Sequence, residues 1–412
     1  MITLFRIETF KLFKRKKTLV VLIAFMLLTT LIGYGSYRDV QNYKRNNSPE
    51  ARITQMESII ESIKQEKNNV PDNLKNDKDA ADKYRAQMDE QIQSLQSEIT
   101  TLKASQDSTI DWKETLRQRI KSNEDRMQEI KNSRDGSSAD EMSYLDSDTS
   151  LNKYLLEHDI KPVDTAGNFD AFSFITLLVS ALGEVFLAIG IAVFAADMVS
   201  GEASPPTMKL LLTQPITRGK VIFSKFLSIN IASVLCIVGV EIIGFLMIGL
   251  FFGFGNSGYP VAVGAQYKFD TTQMMQGGSY PLVVVAGSRY IIPQWEYIIR
   301  LILMQSLYIV ACTSVVFLIS ALVKNSMVSM GISVVSVIGT SILFLGYGVF
   351  RSLARFVYVI FGNVGNLITG QAALNMRSPG ITLGSSIIMF IVWIIVSYIT
   401  AHIVFTKKDI LI

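Results

Sequence analysis

Six stretches of this chain are long, apolar and almost free of charge, and they settle its fold class before any other feature. A bilayer core about 30 Å thick needs roughly 20 helical residues at ~1.5 Å rise each. Residues 18–37 and 328–350 carry no charge; 172–196 contains only Glu184, 298–323 only Arg300 and 381–405 only His402. Residues 221–254 form an overlong run with Lys225 near its start and Glu241 near its middle. The expectation is an all-α membrane protein with six transmembrane helices. Composition agrees: charged residues are 18% of the chain and mean hydropathy is +0.33, where a soluble domain carries about 25% charge.

The charges that do exist are segregated. Residues 39–170 hold 27 acids and 19 bases, a net of −8, while the rest of the chain holds 8 acids and 20 bases, a net of +12. Arg6, Lys11, Lys14, Arg15, Lys16 and Lys17 precede the first run; Lys209, Arg218, Lys220 and Lys225 sit between the second and third; Lys324, Lys407 and Lys408 follow the fourth and sixth. With six spans all of these fall on one side, which the positive-inside rule makes cytoplasmic. Both termini are then expected on the cytoplasmic side, with the acidic insert 38–171 outside. A cleaved signal peptide would also start basic and turn apolar, but the first run is long and no small-x-small site follows it.

Within the insert, Ile53, Met56, Ile60 and Ile63, then Tyr84, Met88, Ile92, Leu95, Ile99 and Leu102, then Trp112, Leu116, Ile120, Met127 and Ile130 recur at intervals of three and four. Such stripes belong to helix faces of coiled-coil type. Breaks near 68–71 and 105–108 predict helices that fold back on one another, and the glycine and serines of 133–150 predict a linker. The insert reads either as a docking arm for a substrate, an envelope component or a partner protein, or as a passive spacer. Its net charge argues against nucleic acid.

Chemistry of the usual kinds is missing. Cys236 and Cys312 lie inside apolar runs, His158 and His402 stand far apart, and no metal-ligand spacing occurs. No G-x-x-x-x-G-K-[ST] phosphate loop is present, so no ATPase and no catalytic residue is assigned. Glu184 and Glu241 are notable because each falls near the centre of a span, where an ionised acid is costly. They read either as lining a translocation route that favours cationic or amphipathic substrates, or as protonated, hydrogen-bonded links between helices. Arg300 is expected to reach the outer headgroups beside Tyr290, Trp295 and Tyr297. Gly249-x-x-x-Gly253 would permit close helix packing.

The segment 197–225 is the most informative. Pro205 and Pro206 suit a helix start, 207–213 gives about two turns and Pro215 stops it. With Gly201, Glu202, Thr207, Leu211, Pro215, Arg218 and Lys225 in order, this stretch resembles the ABC-2 exporter permeases, and Ser320-Ala-Leu-Val-Lys-Asn-Ser-Met-Val-Ser-Met-Gly331 is similar to that family's turn between spans four and five. The resemblance covers about 1–38 and 171–412. It implies an interfacial elbow helix within 1–17, a first span at 18–37 and a remainder at 172–412 whose loop 197–220 seats on a nucleotide-binding subunit. It also implies short outer helices dipping into the membrane within 351–378. The implied partners are ABC ATPase subunits carrying ATP and magnesium, and a second permease copy or paralogue. The implied function is export or flipping of an amphipathic molecule. The alternatives are a mechanotransmitter acting on an envelope partner through the outer insert, and a non-ABC scaffold.

Overall fold

The computed structural model describes every residue except 1, 70–77, 108–110, 133–138, 184, 203–216, 272–273, 275–277, 279, 347–350 and 408–412. It divides into two compact units, one of Met1–Tyr34, Ile120–Ile160 and Phe169–Ile412, the other of Gly35–Arg119 and Lys161–Asn168. The acidic insert is thus shared between the units.

The chain opens with helix α1 (Ile2–Lys14), a turn at Arg15 and the long α2 (Lys16–Asn46). Thr18 Oγ1 donates to Leu12 O at 2.6 Å across that turn. The other long apolar helices are α9 (Arg218–Phe252), α10 (Gln294–Leu322), α11 (Ser326–Ser341, extended by a π turn to Gly346) and α14 (Leu383–Lys407). With α2 these make, among the described residues, five helices long and apolar enough to cross a membrane, or six if a bent pair counts as one span. The 172–196 run, expected as one straight helix, is α7 (Ala171–Gly183) and α8 (Phe186–Ala195), inclined at 65°. The break has a packing reason. Gly183 and Gly362 touch backbone to backbone, so that a Cβ on either would collide with the other's carbonyl. Asn363 Nδ2 donates to Ser180 Oγ at 2.6 Å beside the joint.

Helix α10 is the central rod. Tyr308, Ile309, Ala311 and Phe317 are fully buried along it, and Tyr308 meets Phe390 of α14 edge to face, centroids 5.8 Å apart. The Gly249/Gly253 pair does something other than helix packing: Gly253 (φ +95°) ends α9, and the missing Cβ of Gly249 makes room for the Phe254 ring folding back.

The 255–297 segment holds four short strands among its described residues. Strand β1 (Pro260–Val263) pairs antiparallel with β4 (Tyr290–Pro293), and inside them β2 (Tyr267–Phe269) pairs with β3 (Leu282–Val284), in the register Val261↔Ile292 and Lys268↔Val283. Valine, isoleucine and the aromatics Tyr267, Phe269 and Tyr290 supply most of these positions, as pleated surfaces favour. Between α11 and α14 lie two 3₁₀ segments, Arg351–Phe356 and Tyr358–Phe361, then α12 (Val364–Thr369) and α13 (Gln371–Asn375), so 351–378 is indeed a chain of short helices.

The insert contributes α5 (Trp112–Asn132) and α6 (Ala139–Glu157). Helix α6 corrects the expected linker over 139–150, residues 133–138 lying outside the described residues: Leu145, Thr149, Asn152 and Leu155 are buried at helical spacing. Asn123 Nδ2 donates to Asp148 Oδ2 at 2.7 Å, and Lys153 pairs with Glu124 at 2.7 Å. Hydrogen bonds to Glu141 and then Glu129 hold the Arg126 guanidinium above its ordinary pKa.

The second unit contains α3 (Pro49–Asn68) and α4 (Lys78–Asp107). Ser48 caps α3 by accepting from Ala51 N at 3.1 Å, with Pro49 at the first position. The two helices run antiparallel around buried Ile60, Ile92 and Ile99, flanked by Ile53, Met56, Ile63 and Leu95. Arg52–Glu98 at 3.3 Å and Lys67–Asp89 at 2.5 Å bridge their outer faces. Partial burial and a 3.0 Å hydrogen bond to Glu66 raise the Tyr84 hydroxyl pKa.

Candidate coupling site at the basic end

Among the described residues, seven helix ends of the membrane body meet at one place. Lys225, in the second turn of α9, points into α1 and pairs with Glu8 at 2.8 Å, both side chains being at most 2% exposed. Lys11 stands 3.6 Å from the other Glu8 oxygen. Ser228, one turn further along α9, accepts from Thr9 Oγ1 and donates to Phe5 O, each at 3.3 Å. Leu12 is buried on the same face of α1 as Glu8, one turn on. A charge taken out of water is tolerable only when paired, so this contact fixes α1 on the base of α9.

The turn after α1 is held as well. Lys17 pairs with Asp197 at 2.9 Å and Arg15 lies 3.6 Å from the same carboxylate. Asp197 follows α8, and Ser200–Glu202 then forms a 3₁₀ turn. Ser320, near the end of α10, accepts from the N–H groups of Val199 and Ser200 at 3.1 Å each and donates to Ser200 Oγ at 3.2 Å. One hydroxyl thereby uses its whole hydrogen-bonding capacity on this turn. Ser329 of α11 donates to Ala196 O at 2.6 Å, and Ser200 Oγ donates to the same carbonyl at 3.0 Å. Asn325 caps α11 by accepting from Met327 N at 2.8 Å. The last turns of α14 arrive here too, His402 lying where a side chain on Gly219 would reach it.

Of the residues singled out in the sequence, Gly201 is exposed in the 3₁₀ turn, Glu202 closes that turn, Arg218 is the first residue of α9 and Lys225 is sealed within it. Lys225 therefore serves an internal contact and presents no surface to a partner. Thr207, Leu211 and Pro215 lie outside the described residues, as does Glu184. Glu241 is 1% exposed and faces Gln305 of α10, whose Nε2 donates to it at 2.6 Å, so it borders no opening. At the opposite end of α10, Arg300 is engaged by Tyr290 at 2.8 Å and by Glu296. Trp295 is half exposed as an interface anchor would be, but Tyr297 is buried.

Sequence reasoning missed Glu8. The signal was present, since Glu8 is the sole acid among residues 1–17. Ser320 was quoted within the second motif without a role, and the structure shows that role to be holding the first motif's turn.

A multi-pass helical membrane protein is therefore defined, with two sequence motifs brought together at its basic end. The chain belongs to the ABC-2 family transporter proteins, whose family model matches residues 2–410. It is also similar to the uncharacterized protein YhcI of Bacillus subtilis (strain 168), 25% identical over 268 residues that cover 63% of this chain and 74% of that one. Members of the matched family are membrane transporter components rather than catalysts.

Proposed function

We propose that the chain is the permease subunit of an ATP-binding cassette exporter in a bacterial cytoplasmic membrane. ATP and magnesium are bound on separate ATPase subunits, and a second permease copy or paralogue completes the assembly. The basic end faces the cytoplasm, both termini lie there, and α3–α4 projects outside. The cargo is an amphipathic molecule that is exported or flipped.

The observation that supports this most is the seating of the Ser200–Glu202 turn on Ser320, with Ala196 O bound by Ser329. A displacement applied by an ATPase to the turn passes directly into α10 and α11, and through Asp197 into the root of α2. Residues 203–216, with Thr207, Leu211 and Pro215, supply the remainder of the docking surface. A second reading, mechanical control of an envelope partner, is favoured by one feature: α3 and α4 lie in the second compact unit, with the end of α2 and the start of α5.

The test is gentle purification of the tagged chain from native membranes and identification of bound proteins by mass spectrometry. A phosphate-loop ATPase is expected, lost on Glu202→Lys and Arg218→Glu. Recovery of envelope proteins alone would overturn the exporter reading. Stimulation of ATP hydrolysis by amphipathic cargo in vesicles separates export from mechanotransmission.

A further inference from the structure

Halfway along the membrane body, α9 and α10 share one polar contact of unusual form. Glu241 and Gln305 are both essentially sealed from solvent. Gln305 Nε2 donates to Glu241 Oε1 at 2.6 Å, yet Glu241 Oε2 and Gln305 Oε1, the second oxygen of each side chain, are buried without a partner. An ionised carboxylate offers only acceptors and an amide oxygen is a further acceptor, so an ionised Glu241 leaves two buried acceptors without a donor among the described residues. No described ion pair includes Glu241. Of the cations on the two helices, Arg218, Lys220 and Lys225 lie sixteen or more residues from Glu241, roughly 24 Å or more along α9, Lys225 being spent on Glu8; Arg300 is spent on Glu296 and Tyr290.

A single proton resolves both vacant positions. We propose that Glu241 carries its proton on Oε2 and donates it to Gln305 Oε1, closing a reciprocal acid–amide pair that fastens α9 to α10 at mid-bilayer. Two hydrogen bonds in one ring fix the rotation of each helix about its axis as well as their separation, which a lone hydrogen bond does not. The consequence reaches the basic end: the Lys225–Glu8 contact lies near the start of α9 and Ser320 near the end of α10. The pair makes these two helices turn as one body, so Glu241 and Gln305 are positioning residues. The inference goes beyond the exporter reading and does not depend on it.

The experiment is infrared spectroscopy on the full chain in lipid nanodiscs at neutral pH, comparing wild type with Glu241→Gln. The expected difference is the carbonyl stretch of a protonated carboxyl, moved by exchange into D₂O, present in wild type and absent from the variant. Gln305→Met should displace that band toward a free acid. Carboxylate stretches in the wild-type-minus-variant difference, in place of the acid band, would overturn the proposal. Thermal unfolding gives a second reading. Glu241→Gln rebuilds the ring as an amide–amide pair and should melt as wild type does, whereas Glu241→Leu and Gln305→Met should melt lower. If Gln305→Met does not assemble, the wild-type-minus-Glu241→Gln difference decides alone, an acid carbonyl band supporting the pair and a carboxylate band refuting it.

Discussion

The α1–α9 contact and the α3–α4 hairpin use the same chemistry in opposite surroundings. Lys225–Glu8 is sealed on all sides, its two side chains at most 2% exposed, while Lys67–Asp89 is the shorter pair but leaves its side chains 30% and 58% exposed. In water the Coulomb term of a pair at such distance is about 1 kcal/mol, and it rises severalfold as the effective dielectric falls. Separation alone therefore says little about the strength of an ion pair. Burial decides, because it sets the cost of leaving one partner behind. The membrane body invests its polar residues in a few obligatory contacts, and the hairpin spreads its charges over a hydrophobic seam that would hold without any one of them.

The comparison is most exposed at Lys225. Lys225→Met should strand the Glu8 carboxylate and cost about 3–5 kcal/mol, whereas the double variant Glu8→Leu with Lys225→Met should recover most of that loss. Melting of the detergent-solubilised full chain checks both. A single variant as stable as wild type would mean that water reaches the pair. Slightly below this stands the joint of the broken span. Gly183→Ala forces a methyl into the Gly362 carbonyl and should cost about 1–3 kcal/mol by overpacking, with a lower melting temperature as the readout.

Ser320→Ala tests the motif contact itself. It leaves the Val199 and Ser200 amides without their acceptor, at about 1–3 kcal/mol per unsatisfied group, and amide exchange at those two residues should accelerate while the α3–α4 amides are unaffected. Loss of ATPase retention in the same variant would tie the turn to docking, and unchanged exchange would show that Ser320 is not its anchor.

Most of the membrane helices were legible because a bilayer demands a length of apolar residues that nothing else explains. The break at Gly183 was not, since it depends on a glycine 179 residues later in the chain. The strands of 260–293 were hidden for a related reason: three or four residues each are too short for an alternation to stand out, and their pairing is non-local. Helix α6 was lost to Gly136, Ser137 and Ser138, whose turn character masked the Leu145 and Leu155 spacing just beyond. Gly201, Glu202, Arg218 and Lys225 came from a motif, which reports that residues matter together but not whether a given one faces a partner. Lys225 shows the difference, and only the Glu8 contact reveals that it faces inward.

The smallest effect is expected where the charge pattern is richest. Removing Asp89 by Asp89→Ala breaks the 2.5 Å pair with Lys67, yet exposed pairs contribute about 0.2–1 kcal/mol and are screened further by salt. Hydrogen exchange of the α4 amides in the full chain should rise a few fold at low salt and by less at high salt. Ile92→Ala, in the same helix, removes a buried side chain from the seam with Ile60 and Ile99 and should cost about 2–5 kcal/mol, with no dependence on salt. If Asp89→Ala instead matched Ile92→Ala and resisted salt, the hairpin would be held by its charges, and burial would no longer separate the two regions.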